Sequence, residues 1–143
     1  MPLTAIDELI LNEQLPIEFK DTVERWYAPL LADIIASDRG GGTLVIGIQG
    51  LQGSGKSTLA KFLVLLARER FGLNAVDISL DDFYLTKRER TVLSETVHPL
   101  LATRGVPGTH DVTLAIDTIT QLKATTKHST VRIPQFDKAS DDR

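Results

Sequence analysis

One stretch of the chain matches G-x-x-x-x-G-K-[S/T], the pattern of phosphate-binding loops. It runs from Gly50 to Ser57. Glycines let the backbone turn so that successive N–H groups face phosphate oxygens, and a following helix adds its positive N-terminus. Lys56 supplies a cation for the β- and γ-phosphates, and the Ser57 hydroxyl is a hard oxygen ligand of the kind that Mg²⁺ prefers. The predicted nucleotide-binding residues are Gly50, Gln52, Gly53, Ser54, Gly55, Lys56, Ser57 and Thr58.

The segments around this loop have the order that a phosphate site needs. Residues 43–48 are a continuous apolar, β-branched run, which is typical of a buried parallel strand. Residues 59–71 have the apolar spacing of a helix, which Gly72 is placed to end. This context favours a phosphate site over the alternative, a glycine-rich turn that matches by coincidence. Further strands are predicted at 75–80 and 130–133, and further helices from Thr86 and over 112–124. The alternation of strands and helices predicts an α/β fold with a parallel sheet between two helical layers.

The N-terminal part is predicted to be helical, over residues 3–13 and 17–36. Pro29 lies inside the second stretch and should kink or divide it, because proline has no N–H donor. The apolar face predicted for this stretch consists of Phe19, Val23, Trp26, Leu30 and Ile34. We predict a helical cap over residues 1–38 and a phosphate-binding domain over 39–143.

Two carboxylates, Asp81 and Asp82, follow the second predicted strand. This is the end of a strand at which open α/β sheets bind ligands. A carboxylate there can accept a proton from an attacking hydroxyl, or hold Mg²⁺ directly or through water. The alternative is a solvated pair that caps a loop. The position of Lys56 on the preceding strand–helix unit favours the catalytic interpretation.

Composition excludes several other functions. The net charge of −3, without a long run of one sign, gives no electrostatic reason to expect a nucleic-acid partner. The chain has no cysteine, which excludes disulfides, thiolate metal sites and cysteine nucleophiles. Neither a signal peptide nor an apolar run of membrane-spanning length is found. We therefore expect a cytoplasmic protein that acts on a small molecule, and the sequence does not indicate its oligomeric state.

The phosphate loop together with Asp81-Asp82-Phe83-Tyr84 resembles the P-loop kinases related to phosphoribulokinase, uridine kinase and pantothenate kinase. A closer resemblance is to the D-glycerate 3-kinase family and its bacterial kinase-like members. It rests on four blocks: SLDDFYLT at 79–86, HPLL at 98–101, RGVPGTHD at 104–111 and PQFDK at 134–138. The resemblance implies a P-loop NTPase-type three-layer α/β/α fold, ATP and Mg²⁺ as cofactors, and Asp81 as the catalytic base.

Chemistry in these blocks suits an anionic acceptor. The planar fork of Arg104 could bind a carboxylate, and His110 could donate a hydrogen bond to a hydroxyl or phosphate. The alternatives are a surface ion pair for Arg104 and a polar helix-start residue for His110. We predict Asp81, Tyr84, Arg104 and His110 as acceptor-binding residues, Lys56 and Asp81 as catalytic residues, and Ser57 and Asp81 as metal ligands. Lys138 and Arg143 could neutralise transferred phosphate, although an exposed charged segment explains them as well.

Kinase domains of this family are longer than this chain, and continue with further strands and a lid. We therefore expect an incomplete sheet, and we do not expect efficient turnover by this chain alone. The predicted function is ATP-dependent phosphorylation of a hydroxyl on a small hydroxy acid, with D-glycerate favoured. The alternatives are a kinase of the same group that acts on pantothenate or a nucleoside, and a non-catalytic nucleotide-binding module.

Overall fold

Six α-helices account for most of the regular structure in the computed structural model, which describes residues 3–126 and 129–143. They are α1 Ala5–Asn12, α2 Phe19–Thr22, α3 Ala28–Ser37, α4 Lys56–Phe71, α5 Lys87–Thr96 and α6 Val112–Lys123. A π-helical segment, Val23–Tyr27, joins α2 to α3, and two 3-10 turns lie at Leu80–Phe83 and Pro99–Ala102. The chain divides into two units, Met1–Asp77 and Ile78–Arg143. The predicted division into residues 1–38 and 39–143 stays a prediction.

The first unit is built on α4, which packs against α1 and α3. Its core consists of Ile10, Val23, Leu31, Phe62, Leu63, Leu66 and Ala67. The ring of Phe62 lies 5.6 Å from that of Phe19 and 6.1 Å from that of Tyr27, centroid to centroid. A capping box begins α1: Thr4 Oγ1 accepts from the N–H of Asp7, whose carboxylate accepts from the N–H of Thr4. Burial of these apolar side chains holds the helices together.

Pro29 does divide the second helical stretch, as predicted. It lies in the first turn of α3, where its missing N–H costs little. The predicted apolar face is wrong beyond Val23: Trp26 is 70% exposed and Leu30 is 43% exposed, whereas Leu31 is buried. The N–H of Ala28 donates to Val23 O, an i to i+5 hydrogen bond that inserts one extra residue into the turn. Beyond Val23 the inward face therefore moves by one residue, to the partly buried Tyr27 and the buried Leu31.

The second unit is organised around its first 3-10 turn, which α6 contacts. The N–H of Asp111 donates to Phe83 O at 2.7 Å, and the N–H of Leu85 donates to Thr109 O at 2.9 Å. The predicted caps are confirmed, because Thr86 forms a capping box at the start of α5 and Asp111 caps α6. Packed between these elements are the buried side chains of Phe83, Tyr84, Arg90, Thr109, Thr118 and Phe136.

The predicted strands are not formed in the described part of the chain. Residues 43–48, 75–79 and 130–133 have no regular secondary structure, and Leu80 belongs to a 3-10 turn instead. Only two isolated β-bridges occur there, Tyr84–His110 and Asp137–Asp142. A β-branched run reports a preference for a packed, pleated surface, but a strand also needs a neighbour that supplies its hydrogen bonds. Val45 is 58% exposed, so the middle of this run is not packed against a neighbouring strand or a core among the described residues.

Candidate functional site

The phosphate loop belongs to the first unit and leads into α4. Gly53 and Gly55 have φ angles of 76° and 84°, in the left-handed region that favours glycine. A Cβ at either position would meet no heavy atom within 4 Å, so backbone conformation, not crowding, requires glycine there. No side chain caps the start of α4 at Gly55. The first N–H groups of this helix are therefore suited to an anion.

Lys56 and the loop backbone converge on one carbonyl group. Lys56 Nζ donates to Leu51 O at 2.7 Å, and the N–H of Ser54 donates to the same oxygen at 3.2 Å. The ammonium group thus lies across the loop that contains it. A phosphate oxygen could replace Leu51 O as its acceptor, because a charge-assisted hydrogen bond to an anion is the stronger of the two.

Hard oxygen donors that fit Mg²⁺ are found in each unit. Ser57 is exposed in the first turn of α4, and the Asp81 side chain is 50% exposed in the second unit. Among residues 3–126 and 129–143, no group of three His, Cys, Asp or Glu side chains could hold a metal ion. Mg²⁺ at nucleotide sites keeps several waters and takes one or two protein oxygens plus substrate phosphates. Isolated donors such as these fit that mode of binding.

Asp81 lies in the 3-10 turn Leu80–Phe83, and Ser79 Oγ accepts a hydrogen bond from its N–H. Both carboxylate oxygens have a donor: Tyr84 Oη lies 3.2 Å from Oδ1, and Lys138 Nζ lies 3.2 Å from Oδ2. The Lys138 side chain is 63% exposed, so this ion pair is accessible to water. Asp81 is thus a half-exposed carboxylate with one buried partner, Tyr84, and one exposed partner, Lys138.

Asp82 has a different role from its neighbour. Its Oδ1 accepts a hydrogen bond from the N–H of Phe136 at 3.1 Å. This bond joins the 3-10 turn to the C-terminal segment that contains Lys138. Asp82 therefore helps to place the two partners of the Asp81–Lys138 pair.

Tyr84 links the predicted acceptor-binding residues. Its ring stacks on His110 at a centroid distance of 4.3 Å and meets the edge of Phe136 at 5.4 Å. Burial raises the pKa of Tyr84 above its ordinary value, the Asp81 charge adds to that rise, and the Arg104 charge opposes it. All four residues predicted to contact the acceptor (Asp81, Tyr84, Arg104 and His110) therefore lie in one cluster of the second unit.

Arg104 makes an ion pair within this cluster. Its Nη1 lies 2.6 Å from Asp141 Oδ1, and its guanidinium lies 5.7 Å from the centre of the Phe136 ring. Asp141 also pairs with Arg90, whose side chain is fully buried. Sequence reasoning missed Arg90 and Asp141. Arg90 lies on a mostly charged helix without an apolar pattern, and no sequence signal marks Asp141, whose φ is 58°.

The two basic residues predicted near transferred phosphate differ in their surroundings. Lys138 pairs only with Asp81 among the ion pairs of the described residues. Arg143 lies 3.1 Å from Asp111 and 3.5 Å from Glu89, and its side chain is 18% exposed. Lys138 is therefore the more accessible of the two cations.

The known proteins to which this chain is similar in sequence include kinases. The chain is 41% identical over 102 residues to the uncharacterized kinase mug58 of Schizosaccharomyces pombe. These residues cover 69% of this chain and 36% of that protein. It is 36% identical over 100 residues to the chloroplastic D-glycerate 3-kinase of Arabidopsis thaliana. These residues cover 68% of this chain and 22% of that protein. No protein-family model matches the chain.

Solved structures agree with these sequence relatives. A D-glycerate 3-kinase from Cryptococcus neoformans is 34% identical with a TM-score of 0.54, over 73% of this chain and 36% of that one. The YGR205w protein is 27% identical with a TM-score of 0.60, over 96% of this chain and 44% of that one. The resemblance to D-glycerate 3-kinases and related kinases is thus confirmed, and their structures are consistent with a P-loop α/β fold. The chain spans about a fifth to a third of the length of the curated relatives it matches. Within the described residues, no helix has the length and apolarity needed to cross a bilayer.

Proposed function

Because this chain is similar to D-glycerate 3-kinases and related kinases over about two thirds of its length, we propose that it contains the ATP-binding and acceptor-binding residues of a small-molecule kinase. The reaction transfers the γ-phosphoryl group of ATP to a hydroxyl of a small hydroxy acid, with D-glycerate as the favoured acceptor. The complete sheet of a P-loop α/β/α fold is part of this proposal.

Each unit has its own task in the proposed reaction. In the first unit, the loop N–H groups and Lys56 bind the phosphates, and the Ser57 hydroxyl is a ligand for Mg²⁺. The metal, when bound, offsets negative charge on the phosphates. In the second unit, the Asp81 carboxylate accepts the proton of the acceptor hydroxyl. The hydroxyl oxygen forms a bond to the γ-phosphorus, and the bond from that phosphorus to the β,γ-bridging oxygen breaks to release ADP.

The observation that supports this proposal most strongly is the loop conformation. Two glycines at positive φ, followed by a helix without a side-chain cap, suit main-chain binding of phosphate. Replacing Lys56 by Ala should weaken MgATP binding by at least about tenfold, because the loop loses its only side-chain cation for phosphate. Isothermal titration calorimetry with the folded chain measures this. Lys61→Ala is the matched control, since Lys61 lies on the same helix and pairs with Glu13.

Equal MgATP affinity in the Lys56 and Lys61 variants would refute the role of Lys56. Absence of any binding heat from the folded wild-type chain would refute the nucleotide site itself.

Acceptor identity needs a separate experiment. ADP release is measured by a coupled assay with D-glycerate, pantothenate and nucleosides as acceptors. Stimulation by D-glycerate supports the proposal, and stimulation by another acceptor favours a kinase of the same group with a different substrate. Nucleotide binding without turnover on any acceptor favours the non-catalytic module. Asp81→Asn should slow transfer and leave ATP affinity nearly unchanged, whereas equal loss of both would indicate a metal-holding role.

We also propose that the protein is cytoplasmic and binds neither nucleic acid nor membranes. The net charge of −3 and the absence of cysteine support this proposal. Fractionation of cells that express the tagged protein tests the compartment.

A further inference from the structure

Asp141 joins two arginines in the second unit. Its Oδ1 accepts from Arg104 Nη1 at 2.6 Å, and its Oδ2 lies 3.0 Å from Arg90 Nη2. Its backbone has a φ of 58°, a left-handed conformation that is uncommon outside glycine. Such a conformation persists only where surrounding contacts hold it. Here Asp141 is the last residue of the turn that the Asp137–Asp142 bridge closes, and the two guanidinium groups hold its side chain.

Arg90 is the fixed end of this arrangement. Its side chain is fully buried, and its Nε donates to Leu85 O at 3.1 Å. Its Nη1 donates to Ala102 O at 2.9 Å, and its Nη2 donates to Asp141 O at 2.7 Å. Every nitrogen of the guanidinium thus has an acceptor. A buried arginine in which all nitrogens are bonded has a single orientation, and it imposes that orientation on Asp141.

Arg104 is the partly available end. Its side chain is 35% exposed, one face of the guanidinium lies over Phe136, and Nη1 is bonded to Asp141. Within residues 3–126 and 129–143, its Nε and Nη2 have no hydrogen-bond acceptor on the protein. These two N–H groups form the edge that binds a carboxylate with two parallel hydrogen bonds. An arginine held in place before the ligand arrives loses less entropy on binding.

We infer that Arg90 and Asp141 are positioning residues for acceptor recognition: they hold Arg104 so that its free edge binds the carboxylate of a small hydroxy acid. This inference rests on the proposed function, in which the acceptor is a hydroxy acid. It adds a reason for selectivity, because a polyol without the carboxylate makes no use of that edge. Asp141 thus contributes to recognition through Arg104 without contact to the acceptor.

Asp141→Asn tests the inference with little risk to the fold. Asparagine tolerates the left-handed conformation, and the backbone carbonyl that Arg90 needs is retained. The amide group removes the negative charge and turns a donor toward one of the two arginines. Binding of D-glycerate and of glycerol to the full chain with MgATP is followed by NMR titration. Asp117→Asn, an exposed position on α6, is the charge-matched control.

The expected result is about a tenfold rise in the Kd for D-glycerate, equal to ~1.4 kcal/mol, with glycerol and ATP binding unchanged. Arg104→Lys should raise the Kd for D-glycerate by a similar factor. The variant with both substitutions should raise it little further, because each substitution alone already removes the guanidinium edge in its held orientation. Additive losses, or a normal Kd in Asp141→Asn, overturn the inference and leave the proposed function standing. Equal weakening of D-glycerate and ATP together with a lower Tm also overturns it, since that pattern is structural. If the wild-type chain binds ATP but no D-glycerate, the acceptor proposal fails and the inference with it.

Discussion

Replacing Arg90 by Met should lower the free energy of unfolding by ~3–5 kcal/mol, because it leaves partly buried main-chain acceptors without their donor at ~1–3 kcal/mol each. Arg90 donates hydrogen bonds to three main-chain carbonyls, those of Leu85, Ala102 and Asp141. A hydrogen bond from a charged donor contributes about 1.5–3 kcal/mol, so three of them amount to about 4.5–9 kcal/mol, which reaches or exceeds the predicted loss. The predicted loss of stability is smaller than the summed energy of the hydrogen bonds, because burial of the apolar Met side chain needs no desolvation of a charge. No second substitution can remove the stranded carbonyls, since they belong to the backbone.

Arg70→Met is the matched control for this prediction. Arg70 pairs with Glu24 at 2.5 Å, but the two side chains are 37% and 43% exposed, so the expected loss is ~0–1 kcal/mol. Urea denaturation is followed by hydrogen exchange: peptides from α5 report the stability of the second unit, and peptides from α4 report that of the first. A loss below about 1 kcal/mol for Arg90→Met, indistinguishable from the control, would refute the claim that its hydrogen bonds stabilise this unit.

Further predictions concern pH and helix capping. The Lys20 ammonium lowers the pKa of Asp7 from 3.8, so its stabilising effect is present above that pH and is lost as the pH falls below it; Asp7→Asn should flatten the acid side of a plot of stability against pH. Thr86→Ala removes the N-cap of α5 and should cost ~1 kcal/mol in urea denaturation, and an unchanged midpoint would contradict the capping geometry. Because burial and then the Asp81 charge raise the pKa of Tyr84, Asp81→Asn should lower that pKa in an ultraviolet titration, and an unmoved titration curve would contradict the contact.

Local sequence signals predicted the helices well, because each of their ends depends on a few neighbouring residues. Gly72 ends α4 in the left-handed conformation with a φ of 62°, and Asp111 caps α6 with its side chain. The buried face of α3 was not predictable in the same way. A single i to i+5 bond from Ala28 to Val23 moves it by one residue, and Trp26, which fits the helical period, is therefore exposed. A periodicity argument assumes an uninterrupted helix. Pro29 marked an interruption in the sequence, but not the π-helical turn that precedes it.

The predicted sheet differs from the helices for a related reason. A helix satisfies its hydrogen bonds within one segment, whereas a strand depends on a partner elsewhere in the chain. The apolar run at 43–48 indicates only that this segment favours a strand conformation, not that a partner strand is present. For the candidate site, the motif residues around Asp81 were predictable, because their side chains are of types that bind ligands or transfer protons. It did not predict Arg90 or Asp141, because their importance comes from contacts between residues 51 positions apart.

The surroundings of Asp81 limit which chemistry it can do. Hydrogen bonds from Tyr84 and Lys138 occupy both carboxylate oxygens of Asp81. In the proposed reaction the acceptor hydroxyl has to displace one of these donors. Lys138 is the candidate, since its ion pair is the more exposed, and its ammonium is then free to approach the transferred phosphoryl group. Lys138→Met should therefore reduce kcat for phosphoryl transfer more than it raises the KM for ATP. An equal change in both constants would indicate that Lys138 binds the ground-state nucleotide instead.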